Sequence, residues 1–135
     1  MRHTDMIFLC THGHFGETLK EAAEMITGRL DRVKVFSLLP GMRPEELSSA
    51  VVEVLAGCQS VVCLVDIAGG TPFNVMARLA VQYPISVVTG VNMPMFIEVH
   101  ENMDEMGHVE LAQYAAETLA ASGRVLCMRG DSSCE

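Results

Sequence analysis

Two uninterrupted apolar runs constrain the fold of this chain more than any other feature of its sequence. They cover residues 7–10 (IFLC) and residues 61–65 (VVCLV). Such runs are typical of strands that are buried on both faces, in parallel sheets covered by helices on each side. Polar residues follow at once: His12 after the first run and Asp66 after the second. Because ligands bind beyond the carboxyl ends of parallel strands, we expect His12 and Asp66 to face each other there if the two strands are neighbours.

Strand-like and helix-like patterns alternate along the rest of the chain. We predict strands at 7–10, 33–39, 60–65 and 85–89, with amphipathic helices between them and after the fourth strand. The third helix is expected at about 72–82. The alternation predicts one α/β domain over residues 1–135, with a core at about 6–128 and a tail at 129–135. The predicted architecture has three layers, with helices on both faces of a mainly parallel sheet ordered 2-1-3-4. A last short run at 124–128 predicts a final strand.

Charge and composition exclude several classes of partner. The formal net charge is −8, and the nine basic residues are dispersed along the chain. Nucleic acids and anionic membranes require clustered Lys and Arg, so we expect neither as a partner. No segment approaches the roughly 18 apolar residues of a membrane span, so no membrane insertion is expected. The five cysteines are odd in number and include no C-x-x-C pair, which favours a reduced, cytoplasmic setting.

A glycine-rich turn follows Asp66. Gly69 and Gly70 precede Thr71 and Pro72, and a threonine at the N-cap with proline at the first helical position is typical of a helix start. Glycines allow the backbone to approach a ligand closely, and amide groups at a helix N-terminus suit a phosphoryl group. Gly69, Gly70 and Thr71 are therefore candidate phosphate-binding residues. An ordinary, well-capped turn explains the same pattern.

His12 is the candidate catalytic residue. An imidazole held by a carboxylate has one nitrogen fixed as a donor, which leaves the other nitrogen free as a nucleophile or base. Asp66 is the expected orienting partner, and phosphorylation on the free nitrogen is one form of covalent histidine catalysis. A hydrogen-bonded surface histidine is the simpler alternative.

Other interpretations of this edge remain open. His12, His14 and Asp66 are a possible ligand set for a metal-dependent hydrolase, although side chains two residues apart across a glycine need not converge. Cys10 beside His12 raises the possibility of a thiol nucleophile, but Cys10 falls within a buried strand. We predict no metal and no other cofactor. The apolar segment 93–95 follows the fourth strand, where docking of a protein partner and structural packing are both plausible. Arg78 is expected to form a surface ion pair.

Four motifs together resemble a known family. They are Thr11-His12-Gly13, Leu39-Pro40-Gly41, the run from Asp66 through Gly-Gly-Thr-Pro-Phe-Asn at 69–74, and Gly-Val-Asn-Met-Pro-Met at 90–95. In this order they are similar to the mannose-type (mannose/fructose/sorbose) IIA domain of the bacterial phosphoenolpyruvate-dependent sugar phosphotransferase system. The resemblance covers roughly residues 6–128.

The resemblance implies a phosphohistidine carrier. His12 would accept a phosphoryl group on Nε2 from the phosphocarrier protein HPr and pass it to a separate IIB component during sugar uptake. Asp66 would orient the ring, and Thr71 would lie beside the phosphate. The family also implies a homodimer in which the C-terminal strand, here residues 124–128, is exchanged between subunits. A regulatory phosphohistidine module that is not coupled to transport is the alternative role.

Two positions depart from the family pattern. Many relatives carry a bulky aromatic residue shortly after the aspartate, where this chain has Ile67 and Ala68, and His14 stands where some members have another residue type. These departures bear on the choice of partner more than on the phosphoryl chemistry.

Overall fold

The computed structural model of the protein describes residues 2–127. Within these residues, one helix follows each of the first three strands, and two helices follow the fourth. In chain order they are β1 (Met6–His12), α1 (Phe15–Thr27), β2 (Val33–Leu38), α2 (Pro44–Leu55), β3 (Val61–Val65), α3 (Thr71–Leu79), β4 (Ile85–Val88), α4 (Met93–Asn102) and α5 (His108–Ala121).

The four strands form one parallel sheet in the order β2-β1-β3-β4. The predicted α/β class, parallel sheet and strand order 2-1-3-4 are confirmed. β1 lies between β2 and β3, and Leu9 is in register with Val35 on one side and with Leu64 on the other. The strand order reverses between β1 and β3, so the carboxyl ends of these two strands meet at the point where ligands bind in such sheets.

Alternate residues of β1 pack into two separate cores. Ile7 and Leu9 pack with side chains of α1, α4 and α5, while Phe8 and Cys10 pack with side chains of α2 and α3. All four of these side chains are fully buried. Burial on both faces explains the uninterrupted apolar run, because every residue of the strand must pack against a helix layer. By the same alternation, Thr11 belongs to the α1 face and His12 to the face covered by α2 and α3.

The structure corrects the predicted end of β1 and the predicted start and end of α3. β1 extends two residues beyond the apolar run, because His12 is still in register with Leu38 of β2. Thr71 was predicted to be the N-cap of α3, but it is the first residue of the helix. The N-cap is Gly70, whose extended backbone (φ −86°, ψ 175°) directs its carbonyl to the amide of Asn74 at 2.9 Å. The helix ends at Leu79, earlier than the predicted 82.

The C-terminal prediction differs from the structure of the single chain. Residues 124–127 form neither helix nor strand, while Met128 and the predicted tail at 129–135 lie outside the described residues. Residues 124–127 are not part of the four-stranded sheet of the described chain, so the exchange of this segment within a homodimer stays a prediction. Cys10, Cys58 and Cys63 are free thiols, whereas Cys127 is disulfide-bonded, which the reduced setting inferred from the sequence does not predict. Within residues 2–127, none of the helices has the length and apolar character needed to cross a membrane.

A matched pair of methionine substitutions tests this packing. Met76 of α3 is fully buried, whereas Met25 of α1 is 89% exposed. Met76→Ala is expected to lower the free energy of unfolding by about 2–5 kcal/mol, because it removes apolar burial and leaves a cavity. Met25→Ala is expected to change it by about 0.5 kcal/mol or less. Chemical denaturation of both variants measures the difference, and equal effects would contradict the assigned core.

Candidate functional site

A histidine and a carboxylate meet at the carboxyl edge of the sheet. His12 is the last residue of β1, and Asp66 directly follows β3. One oxygen of Asp66, Oδ2, accepts two hydrogen bonds from His12: the backbone N–H donates at 2.9 Å and ring Nδ1 lies at 2.9 Å. The other oxygen, Oδ1, accepts from the amide of Ile67 at 3.1 Å. The predicted juxtaposition of His12 and Asp66 is therefore what the fold produces.

These contacts keep the Asp66 carboxylate ionised. Partial burial raises its pKa, but the hydrogen bonds from the backbone and ring of His12 outweigh this effect, and the net pKa is lower than usual. An ionised carboxylate can only accept hydrogen bonds, so the ring nitrogen that faces it must carry the proton. The geometry thus assigns the proton of a neutral His12 ring to Nδ1 and leaves a lone pair on Nε2.

The ring of His12 is about half exposed to solvent. The His12 side chain is 48% exposed, against 17% for that of Asp66. Within residues 2–127, Nε2 accepts and donates no hydrogen bond. A nucleophilic nitrogen with a fixed tautomer, a lone pair and access to the surface is suited to attack an electrophile carried by another molecule.

Gly70 forms the wall behind the imidazole. A Cβ atom added at Gly70 would lie 2.8 Å from Cε1 and 3.2 Å from Nε2 of His12, so the ring occupies the space that any other residue would fill. The preceding residue, Gly69, has a φ of +84°, a backbone conformation that favours glycine. The two glycines thus bring the start of α3 directly against the ring.

The N-cap position of α3 therefore lies beside Nε2 of His12. The first amides of a helix have no partner within the helix, and they lie at the positive end of the helix dipole. Thr71 is partly buried at this position, and its hydroxyl forms no hydrogen bond within the described part of the chain. The structure thus brings together His12, Asp66 and Gly70, with Thr71 next in sequence, as the sequence predicts.

An apolar wall on the other side of His12 was missed as part of the site. His12 and Gly13 line a shallow cleft of about 400 Å³ together with residues of the β2–α2 connection. These residues are Leu38, Leu39, Pro40, Gly41 and Met42. The register of His12 with Leu38 could have indicated this neighbourhood, but register is set by the assembled sheet and not by either segment alone.

The alternative chemistries find no support in the geometry. The ring of His14 lies beside Glu17, with Nδ1 3.2 Å from the carboxylate, and does not converge with His12. Within residues 2–127, no group of three or more His, Cys, Asp or Glu is placed to hold a metal ion. Burial raises the pKa of the Cys10 thiol to about 12, with a further contribution from the charge of Asp66. A thiol in that state is not a nucleophile at neutral pH.

The structure also bears on what was expected of segment 93–95 and of Arg78. Met95 is fully buried and Met93 packs against the core, so segment 93–95 begins α4 and does not form an exposed docking loop. The N-cap Asn92 holds this start by accepting a hydrogen bond from the amide of Met95 at 3.0 Å. Arg78 is exposed, and the described residues contain no ion pair that includes it, so the predicted surface ion pair is not formed.

Comparison with known proteins identifies the family. Residues 6–116 match the family model described as "PTS system fructose IIA component". The chain belongs to the mannose-type IIA family. The resemblance inferred from the four sequence motifs is therefore confirmed, and the site lies in a domain of the sugar phosphotransferase system (PTS).

Individual IIA relatives support the same assignment. Over 120 residues the chain is 35% identical to the PTS system mannose-specific EIIAB component of Escherichia coli (strain K12), covering 85% of this chain and 37% of that protein. The chain thus spans little more than a third of the length of that relative. It is 29% identical over 111 residues to the PTS system sorbose-specific EIIA component of Lacticaseibacillus casei, covering 80% of each.

A solved structure shares the fold closely. The mannose/sorbose specific IIA subunit of the phosphotransferase system from Enterococcus faecalis superposes with a TM-score of 0.85 at 26% identity, covering 93% of this chain and 96% of that one. The IIA fold is thus confirmed over most of the chain.

Gly70→Ala tests the fit between α3 and the imidazole. The added methyl group would overlap Cε1 of His12, so we expect the ring to tilt away from Gly70 and its hydrogen bond to Asp66 to weaken. Nitrogen-15 NMR of the ring measures this as a loss of the single Nδ1–H tautomer. Gly57→Ala is the control, because a Cβ at Gly57 meets only the carbonyl oxygen of Val54 at 3.9 Å. Unchanged His12 signals in Gly70→Ala would contradict the described fit.

Asp66→Asn tests the electrostatic part of the contact through pH. Because the pKa of Asp66 is lowered in the folded state, its stabilising effect is complete above the unfolded-state pKa of about 3.9 and is lost as the pH falls through the lower folded-state pKa. The free energy of unfolding of Asp66→Asn should therefore lie below that of the wild type near neutral pH and approach it in acid. Denaturation curves at several pH values measure this gap. A gap that does not change with pH would show that ionisation of Asp66 does not stabilise the fold.

Proposed function

We propose that this IIA protein is a phosphohistidine carrier, which accepts a phosphoryl group from HPr on Nε2 of His12 and passes it to a IIB component during sugar uptake. The observation that carries the proposal is the pairing of Nδ1 of His12 with Asp66, which leaves the lone pair on Nε2 of a half-exposed ring. The names of the relatives, which are EIIA or EIIAB components of sugar-specific phosphotransferase systems, support the same role.

Acceptance of the phosphoryl group is a displacement at phosphorus. The lone pair of Nε2 attacks the phosphorus of the phosphorylated donor while the donor's N–P bond breaks, and the departing donor ring keeps the bonding electron pair. His12 keeps its proton on Nδ1 throughout, so its ring becomes positively charged as the new N–P bond forms. The Asp66 carboxylate, 2.9 Å from Nδ1, offsets that charge.

The start of α3 is the proposed site for the phosphoryl oxygens. Gly70 lies against the Nε2 edge of the ring, so a group bound to Nε2 is close to the first amides of α3. These amides, with the backbone of Gly69 and Gly70 and the hydroxyl of Thr71, supply donors for the negatively charged oxygens. Stabilisation by amides needs no metal ion, and we propose that the transfer is metal-independent.

The apolar wall beside His12 is the proposed contact for the transfer partners. Residues 38–42 line the open side of the histidine, so a partner that delivers or removes the phosphoryl group must cover them. Covering this wall would exclude water from the reacting atoms and limit hydrolysis of the phosphohistidine. HPr and the IIB component would therefore use the same surface in turn.

Labelling of two neighbouring histidines tests the proposal. With phosphoenolpyruvate, enzyme I and HPr, the wild type should acquire one acid-labile phosphate that maps to His12. His12→Ala should acquire none, because the nucleophilic nitrogen is absent. His14→Ala is the matched control and should be labelled at the wild-type rate, since its ring is directed to Glu17. Retained labelling of His12→Ala would overturn the assignment. In chelator the wild type should be labelled to the same extent.

The second half of the transfer separates transport from signalling. Labelled protein mixed with a IIB component should lose its phosphate to that component at a rate comparable to labelling. Retention of the label in the presence of the IIB components tested would contradict the transport role and favour the regulatory alternative.

A further inference from the structure

A buried threonine precedes the histidine and has no role in the chemistry described above. The side chain of Thr11 is fully buried on the α1 face of the sheet. Its Oγ1 accepts a hydrogen bond from the amide of Gly16, in the first turn of α1, at 2.8 Å. The N-cap residue of α1, His14, makes no such bond with its own side chain. Thr11 therefore supplies, from the end of β1, the acceptor that an N-cap side chain usually provides.

Gly16 is shaped to fit this threonine. A Cβ atom added at Gly16 would lie 2.9 Å from Oγ1 and 3.4 Å from Cγ2 of Thr11, and 3.1 Å from Cγ1 of Val35. The first turn of α1 therefore lies directly on the end of the sheet, at a distance that only glycine permits. Both partners in the contact are buried, so an unpaired Gly16 amide would have no water to bind.

Hydrogen bonds hold the peptide segment around His12 on every side. The amide of His12 donates to Asp66, beyond β3, and the amide of the next residue, Gly13, donates to the carbonyl of Leu38, at the end of β2, at 2.8 Å. The amide of Gly16 donates to Thr11. The segment between β1 and α1 is only Gly13 and His14, with Gly13 at a φ of +54°. A shift of α1 away from the sheet must therefore be transmitted to His12.

We propose that Thr11 is a positioning residue for phosphoryl transfer: its hydroxyl anchors the start of α1 and thereby fixes the direction in which Nε2 of His12 points. The inference rests on the proposed function, because it concerns the geometry of that same transfer. Thr11 itself touches neither the phosphoryl group nor the partner. Loss of the anchor affects the alignment of the reacting atoms and leaves the partner surface at residues 38–42 in place.

A second buried threonine on the same segment provides a matched control. Thr4 lies just before β1, at the opposite edge of the sheet, and is also fully buried. Its hydroxyl donates one hydrogen bond, to the carbonyl of Met106 at 2.8 Å. Thr11→Val and Thr4→Val thus each replace a buried hydroxyl by a methyl group and each break one bond to the backbone. Only the first change is next to His12.

The experiment measures the rate of transfer from phosphorylated HPr to the purified chain, by rapid quench over a range of HPr concentrations. For Thr11→Val we expect the maximal rate constant to fall about tenfold, as a small misplacement of reacting atoms does, with little change in the concentration for half-saturation. Thr11→Ser keeps the hydroxyl and should recover the rate to within about twofold. Thr4→Val should transfer at the wild-type rate, even if its resistance to denaturant falls as much as that of Thr11→Val.

Nitrogen-15 NMR of His12 gives a second readout. The Thr11→Val ring should no longer show a single Nδ1–H tautomer, while Thr4→Val and Thr11→Ser should match the wild type. A wild-type maximal rate in Thr11→Val, or an equal loss of rate in Thr4→Val, would overturn the inference. Should Thr11→Val fail to fold, Thr11→Ser and Thr11→Ala differ only in the hydroxyl, and equal rates for that pair would overturn it. His12→Ala in the same assay tests the proposed function by itself. Its result therefore separates failure of the proposed function from failure of the inference about Thr11.

Discussion

One carboxylate oxygen organises the whole site. Oδ2 of Asp66 accepts from both the backbone and the ring of His12, so one atom fixes the end of β1 and the orientation of the imidazole. This double contact is possible because β1 and β3 are adjacent and parallel, with their carboxyl ends at the same edge. It also fixes the protonation of the ring, because a carboxylate can pair only with a nitrogen that carries a proton. The lone pair on Nε2, on which the proposed phosphoryl transfer depends, follows from that single constraint.

Much of this arrangement was predictable from the sequence. The uninterrupted apolar runs identify the central strands, because a strand buried on both faces has no polar position. The alternation with helices indicates the parallel α/β class, and the order 2-1-3-4 is a common one for doubly wound sheets. His12 and Asp66 follow from their places directly after those runs. Gly70 and Thr71 were located by their turn chemistry, although the helix starts one residue earlier than the N-cap pattern predicts, since an extended Gly70 satisfies the cap position.

The features that were missed depend on contacts between distant segments. Residues 38–42 become a wall of the site only when β2 pairs with β1, and no local pattern marks them as neighbours of His12. For the methionines at 93 and 95 the sequence left partner docking and structural packing both open, and the structure shows that Met95 is fully buried in the first turn of α4. The contact between Thr11 and Gly16 joins residues five apart, yet its meaning appears only when α1 lies on the sheet.

The surroundings of His12 bear on the order in which donor and acceptor would bind in the proposed transfer. Asp66 covers Nδ1, the backbone of Gly70 lies against one edge of the ring, and the cleft at residues 38–42 borders the histidine as well. In the proposed function, donor and acceptor each cover this cleft to reach the same nitrogen, so they would have to bind in turn. The proposed transfer would then follow a ping-pong order, in which the first product departs before the second substrate binds.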